Sequence, residues 1–165
     1  MNSNLKTNFS ADKENKKVHV ERTFDSSVNN VWAAWTESAL LEQWWAPHPW
    51  KAITKSMDFR EGGFWLYAMQ GPDGTKVWAR FDYGTIVPLQ YFTSEDTFTD
   101  ENGVPNSDIA GSNWKTTFTE AGNVTTVNIE LVFKTVSDLE KTMEMGFEEG
   151  FKMALDNLEE VLTSK

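Results

Sequence analysis

The sequence predicts an α+β domain in which one curved antiparallel sheet of about six to seven strands wraps a long C-terminal helix, with two short helices after the first strand. Three observations carry this. Strand-like segments follow one another with connections short enough for hairpins, which makes the sheet antiparallel. Phe147, Phe151, Leu155, Leu158 and Leu162 step by four, four, three and four, one apolar stripe along a terminal helix. A sheet with one apolar face needs a cover, and that stripe supplies it.

The elements follow in order. Val18 to Phe24 alternates, with Val18, Val20, Arg22 and Phe24 on one face, as a strand requires. Asp25-Ser26-Ser27 offers N-cap side chains, and Val28, Val31, Trp32 and Trp35 follow at helical spacing. A second short helix spans Leu40 to Trp45 and is ended by Pro47 and Pro49. Ile53 to Phe59 and Phe64 to Met69 are strands about an Arg60-Glu61-Gly62-Gly63 turn. Gly71-Pro72-Asp73-Gly74 is a second turn, leading to a long strand over Lys76 to Val87. Tyr91 to Thr99 is the next strand, and Asp100 to Ser112 is a loop. Trp114 to Thr119 and Val124 to Phe133 close a hairpin around Ala121-Gly122-Asn123. The terminal helix is expected unbroken from Ser137 to Leu162. Gly146 and Gly150 lie beside its stripe, where each glycine costs about 1 kcal/mol, which reads as a close approach of a strand or of a cavity's contents. Residues 1–17 read as a disordered polar leader, and residues 18–165 as a single domain.

Composition removes several function classes. The 165 residues contain no cysteine and two histidines, His19 and His48, so no Cys- or His-based metal site is expected. The net charge of −10 gives little basic surface for a nucleic acid or an anionic membrane. No apolar run approaches the ~20 residues of a membrane span, and the first residues lack the apolar stretch of a secretory signal. The expectation is a cytoplasmic protein with no nucleic-acid partner and no membrane insertion. Against this plain background stand eight Trp, eleven Phe and three Tyr.

Several motifs stand in a familiar order. They are Phe24 to Glu37 (FDSSVNNVWAAWTE), Trp44-Trp45-Ala46-Pro47, Arg60-Glu61-Gly62-Gly63, Gly71-Pro72-Asp73-Gly74, and Gly146-Phe147-Glu148-Glu149-Gly150-Phe151 with Leu155, Leu158 and Leu162. Together they resemble the SRPBCC group of helix-grip domains, within the START/Bet v 1-like superfamily. The branch they resemble most is that of homologues of the activator of Hsp90 ATPase. Ala46 stands where that branch usually has glycine. The resemblance covers nearly everything after Lys17. It implies a hydrophobic cavity between sheet and terminal helix, filled by a small hydrophobic, aromatic, flavonoid- or polyketide-like molecule. Two alternatives come with it: a regulator of an Hsp90-type chaperone partner or another protein-interaction module, and a cyclase- or hydrolase-like enzyme on a hydrophobic substrate.

The candidate ligand-binding residues follow from the strand faces and the helix stripe. Trp65, Tyr67 and Met69 share one face, Phe81 and Tyr83 a second, and Trp114, Thr116 and Phe118 a third, with Phe147 and Phe151 on the helix opposite. Facing one another, they line an apolar chamber with a few hydroxyls, or they meet and fill it as core. Trp45 and His48 are placed at the cavity rim. His19 reads as a surface strand residue. Asp58 and Arg60 read as a turn-stabilising pair. Glu37 and Glu42 flank the second helix, and on a chain with 25 carboxylates such a pair arises by chance. Glu95, Asp96, Asp100, Glu101 and Asp108 read as a solvated acidic face. No catalytic residue, metal ligand or cofactor is assigned.

Overall fold

The computed structural model describes residues 7–108 and 111–163. The elements are β1 (Thr7–Asp12), β2 (Lys17–Phe24), α1 (Val28–Thr36), α2 (Ser38–Trp44), β3 (Lys51–Asp58), β4 (Phe64–Gln70), β5 (Lys76–Val87), β6 (Tyr91–Thr99), β7 (Ser112–Ala121), β8 (Val124–Val132), α3 (Val136–Glu144) and α4 (Phe147–Thr163). All eight strands form one antiparallel sheet in the order β1-β2-β8-β7-β6-β5-β4-β3. The fold is the helix-grip α+β arrangement. No helix among the described residues is long and apolar enough to cross a membrane.

Two expectations are corrected. The polar leader expected over residues 1–17 is a strand from Thr7 to Asp12, which supplies the eighth strand of the sheet. Residues 1–6 lie outside the described residues. The strand forms because β2 offers it a free edge, and two inward side chains fix it there. Phe9 packs on Phe147 at 6.1 Å between ring centres, and Thr7 Oγ1 accepts a 2.7 Å hydrogen bond from Arg22. Its outward side chains are polar, as suits an exposed edge.

The terminal helix is two helices. α3 ends at Glu144 with Met145 as its C-cap, and Gly146 follows with φ +85°, the left-handed conformation that stops helices at little cost to glycine. No atom would meet a Cβ on Gly146, so this glycine marks the stop and not a close approach. Gly150 faces the loop after α2, where an added Cβ would sit 3.6 Å from Pro47.

The register builds the concave face. One row across the sheet runs Trp65, Phe81, Asp96, Ser112; the next runs Tyr83, Ser94, Trp114, Leu131, Val18. The α4 stripe covers this face, with Phe151, Leu155, Leu158 and Leu162 buried. Ser27 caps α1, and Trp32 and Trp35 hang from it over the β7–β8 side. The buried Arg22 ties β2 to α4 through Asp156 at 2.9 Å and Glu159 at 3.2 Å.

Candidate functional site

A cavity of about 350 Å³ lies between the sheet and the α3–α4 elbow. Tyr67 and Met69 on β4, Phe81 on β5, Trp114 on β7, and Phe147 and Phe151 on α4 line it. Trp45, at the end of α2, lines it from above. The exposed Val77 and Met145 are also part of its wall, so the cavity opens to solvent between β5 and the elbow.

Period-two alternation points these strand residues inward, and indole and phenol hydrogen bonds fix their orientation. Trp45 Nε1 donates to the Tyr67 hydroxyl at 3.0 Å. Trp45 also meets Phe81 and Phe151 edge to face at 5.6 and 6.1 Å. Tyr67 stacks on Trp65 at 3.9 Å, and Trp65 Nε1 donates to Thr54 Oγ1 at 3.0 Å. Trp114 stands edge-on to Phe81 at 5.2 Å. These pairs hold the walls apart as a lattice of ring contacts.

The remaining expected residues lie elsewhere. Trp65, Tyr83 and Thr116 surround a separate void of about 20 Å³, together with Trp35 and Ser94. Phe118 lines neither space. It packs under Trp32 at 5.1 Å and Trp35 at 6.2 Å, so helix α1 fills that end of the chamber. His48, expected at the rim, is exposed and lines no part of the cavity. The reason is a tight turn: Trp50 N–H donates to the Pro47 carbonyl at 2.9 Å. That turn sends Pro47 and Trp50 to the cavity wall and leaves His48 and Pro49 at the exposed tip.

The other polar candidates are surface features. His19 Nε2 meets Asn128 Oδ1 at 3.0 Å on the outer face. Arg60 Nε pairs with Asp58 at 2.6 Å in an exposed turn. Glu42 accepts from the Thr54 backbone at 2.8 Å. Glu37 sits between α1 and α2, where its backbone begins α2. Among the described residues no group of three or more His, Asp or Glu side chains is placed to hold a metal ion.

Of the acidic stretch expected as a solvated face, Glu95, Asp100, Glu101 and Asp108 are exposed, and Asp96 is the exception. Among the described residues it is the only charged one lining the cavity. Its Oδ1 accepts from the Ser112 N–H at 2.6 Å and the Ser112 hydroxyl at 2.9 Å, while Trp114 Nε1 donates to that hydroxyl at 3.0 Å. A Cβ on Gly111 would collide with the Asp96 carbonyl oxygen, so glycine there admits the close approach of β7 to β6. Burial pushes the Asp96 carboxyl above the usual carboxylate range, against the opposing pull of the Ser112 donors and the Trp114 indole. Burial likewise raises the Tyr67 phenol, partly offset by the Trp45 hydrogen bond and reinforced by the Asp96 charge. The signal for Asp96 was present in the sequence. Phe92, Ser94, Asp96 and Phe98 alternate on one face of β6, and Phe92 and Ser94 are buried.

Comparison with known proteins agrees with this architecture. The family model described as "Activator of Hsp90 ATPase homolog 1-like protein" matches residues 25–163. A solution structure of a protein from Arthrobacter aurescens is 31% identical, with a TM-score of 0.90, covering 96% of this chain and 92% of that one. A crystal structure of protein Ms6760 from Mycobacterium smegmatis is 27% identical, with a TM-score of 0.88 and coverage of 96% and 98%. A solution structure of a Staphylococcus epidermidis protein is 27% identical, with a TM-score of 0.82 and coverage of 94% of each chain. A search of curated proteins returned no match.

Proposed function

The chain belongs to the family of Activator of Hsp90 ATPase homolog 1-like proteins, and on that premise we propose that it binds a small, ring-containing apolar molecule between the sheet and α4. The observation that carries this reading is the cavity. Its volume of about 350 Å³ falls within the ~300–1,000 Å³ of small-molecule sites, and such sites have mostly apolar walls with a few polar groups. A flat aromatic guest, flavonoid- or polyketide-like, suits walls made of Phe81, Trp114, Phe147 and Phe151. Tyr67 accepts its hydrogen bond from Trp45, which leaves its own O–H to donate to a guest oxygen.

The test uses the indoles already in the wall. Trp45, Trp50 and Trp114 line the cavity, so a flavonoid or polyketide-like compound should quench tryptophan fluorescence and raise the melting temperature. Ala79 also lines it, and Ala79→Leu narrows the space and should weaken both responses. No fluorescence or thermal response across a broad library of apolar compounds would refute the reading.

A further inference from the structure

Among the described residues the cavity wall is apolar except for the Tyr67 hydroxyl, Thr142 on α3 and the place where β6 and β7 meet, which holds its one charged side chain. In register, Asp96 lies between Phe81 on β5 and Ser112 on β7. Both hydrogen bonds that Asp96 receives from Ser112 fall on one carboxylate oxygen, Oδ1. Beyond Ser112 only the Trp114 indole pulls on this carboxylate from another residue, and among the described residues no hydrogen bond to the other oxygen is formed. Among the described residues no lysine, arginine or histidine lines the cavity to balance the charge.

A carboxylate flanked by rings has lost part of its hydration, and half of its acceptor capacity here is unused. An incoming N–H⁺ group restores what hydration supplied, through a charge-assisted hydrogen bond stronger than a neutral one. The faces of Phe81 and Trp114, both in the same wall, add attraction for a cation. An anionic guest meets the opposite situation: it would face the Asp96 charge inside a protein of net charge −10. Ser112, itself held by the Trp114 indole, fixes the carboxylate in one orientation, so the preference is built into the wall before a guest arrives.

We propose that the cavity selects flat apolar molecules carrying one cationic nitrogen, with Asp96 as the residue that sets this specificity. The proposal rests on the ligand-binding role above and narrows it to a chemical class.

Three probes of one shape separate the two ideas: naphthylmethylamine, naphthylmethanol and naphthoic acid, titrated calorimetrically into the wild-type protein, Asp96→Leu and Ala79→Leu. The wild type should bind the amine about tenfold or more tighter than the alcohol, with the acid weakest. Asp96→Leu should lose that preference while still binding the alcohol, and Ala79→Leu should bind amine and alcohol more weakly by a similar factor. Equal affinity of the wild type for amine and alcohol, with both weakened in Ala79→Leu, would overturn the role of Asp96 and leave the cavity's binding role standing. No binding of any probe to the wild type would overturn both. Should Asp96→Leu fail to fold, the carboxyl carbon resonance of Asp96 in the wild type decides. It should move on adding the amine and stay still with the alcohol, and no movement with a bound amine would overturn the proposal.

Discussion

The two ends of the sheet–helix interface use the same aromatic residues to opposite effect. At the α1 end, Trp35 and Trp44 lie 4.7 Å apart, Phe118 fills the space beneath Trp32, and Val127, Ile129, Leu158 and Leu162 complete a closed core. At the elbow end, Phe81, Trp114, Phe147 and Phe151 are as large, yet they surround a hole. The difference is not a shortage of rings. Small residues, Ala79, Ser112 and Gly150, stand in the wall of the hollow end. The helix above it is interrupted at Met145 and Gly146, whereas α1 sends two indoles down into the packed end. Ring contacts hold the hollow open, and helix side chains close the other end.

The strongest test of this contrast is Trp44→Ala. Trp44 is fully buried, and its Nε1 donates to the Ala34 carbonyl at 2.9 Å. Its loss should cost about 3–5 kcal/mol in urea denaturation; a cost below about 1 kcal/mol would show that this end is not close-packed. Next comes a matched pair of insertions. Ala34→Leu, in the packed end, should cost about 1–3 kcal/mol by overpacking. Ala79→Leu, in the hollow end, should change stability by less than about 1 kcal/mol because there is space to receive the side chain. Similar costs at the two sites would erase the distinction.

A smaller effect belongs to Asp96. Its folded-state pKa is raised, so the folded chain holds a proton that the unfolded chain releases. That stability is fully present below the unfolded carboxylate value of about 4 and is lost as pH rises through the folded value. Tyr67 is the other titratable group of that wall, and its raised phenol stays neutral across this range. Melting temperature measured against pH should therefore fall more steeply from acid to neutral pH in the wild type than in Asp96→Asn. Parallel curves would show that the carboxyl is not desolvated. The smallest change is expected for Trp35→Phe. The Trp35 Nε1 is buried without a hydrogen-bond partner, so removing it discards an unsatisfied donor along with some ring area. The net effect should stay within about 1 kcal/mol by denaturant titration.

Much of the architecture was legible in the alternation of seven strands and in the helix stripe, because both periods report burial directly. The parts that escaped have physical reasons. β1 is polar because it is an edge, and an edge strand carries little apolar signal; Phe9 alone marks its inner side. The helix break hid in a continuous apolar stripe, since Gly146 fits either a helix interior or a helix stop until its φ is known. At the site, strand phase correctly turned Tyr67, Phe81 and Trp114 inward. It did not tell that α1 would claim Phe118, which depends on where a helix lands. Asp96 has the inward phase of β6, but a carboxylate's charge by itself signals solvent. His48 was drawn toward the cavity by its neighbours, although the turn between Pro47 and Trp50 points it outward.

The sheet order has a consequence for synthesis. β2 lies between β1 and β8, pairing Lys17 with Val132 and Phe24 with Thr125. A chain emerging from the ribosome therefore makes β1 and β2 as an isolated hairpin. At ~5–20 residues per second, the hundred or so residues that separate β2 from β8 take about 5–20 s to appear. Throughout that interval Val18, Val20 and Phe24 have no sheet to join, and Arg22 waits longer still for Asp156 and Glu159. A two-stranded hairpin is marginal by itself in water. Within this sheet the earliest strands to be made are thus among the last to be secured, and the nascent domain carries an exposed apolar face until the β7–β8 hairpin and α4 arrive.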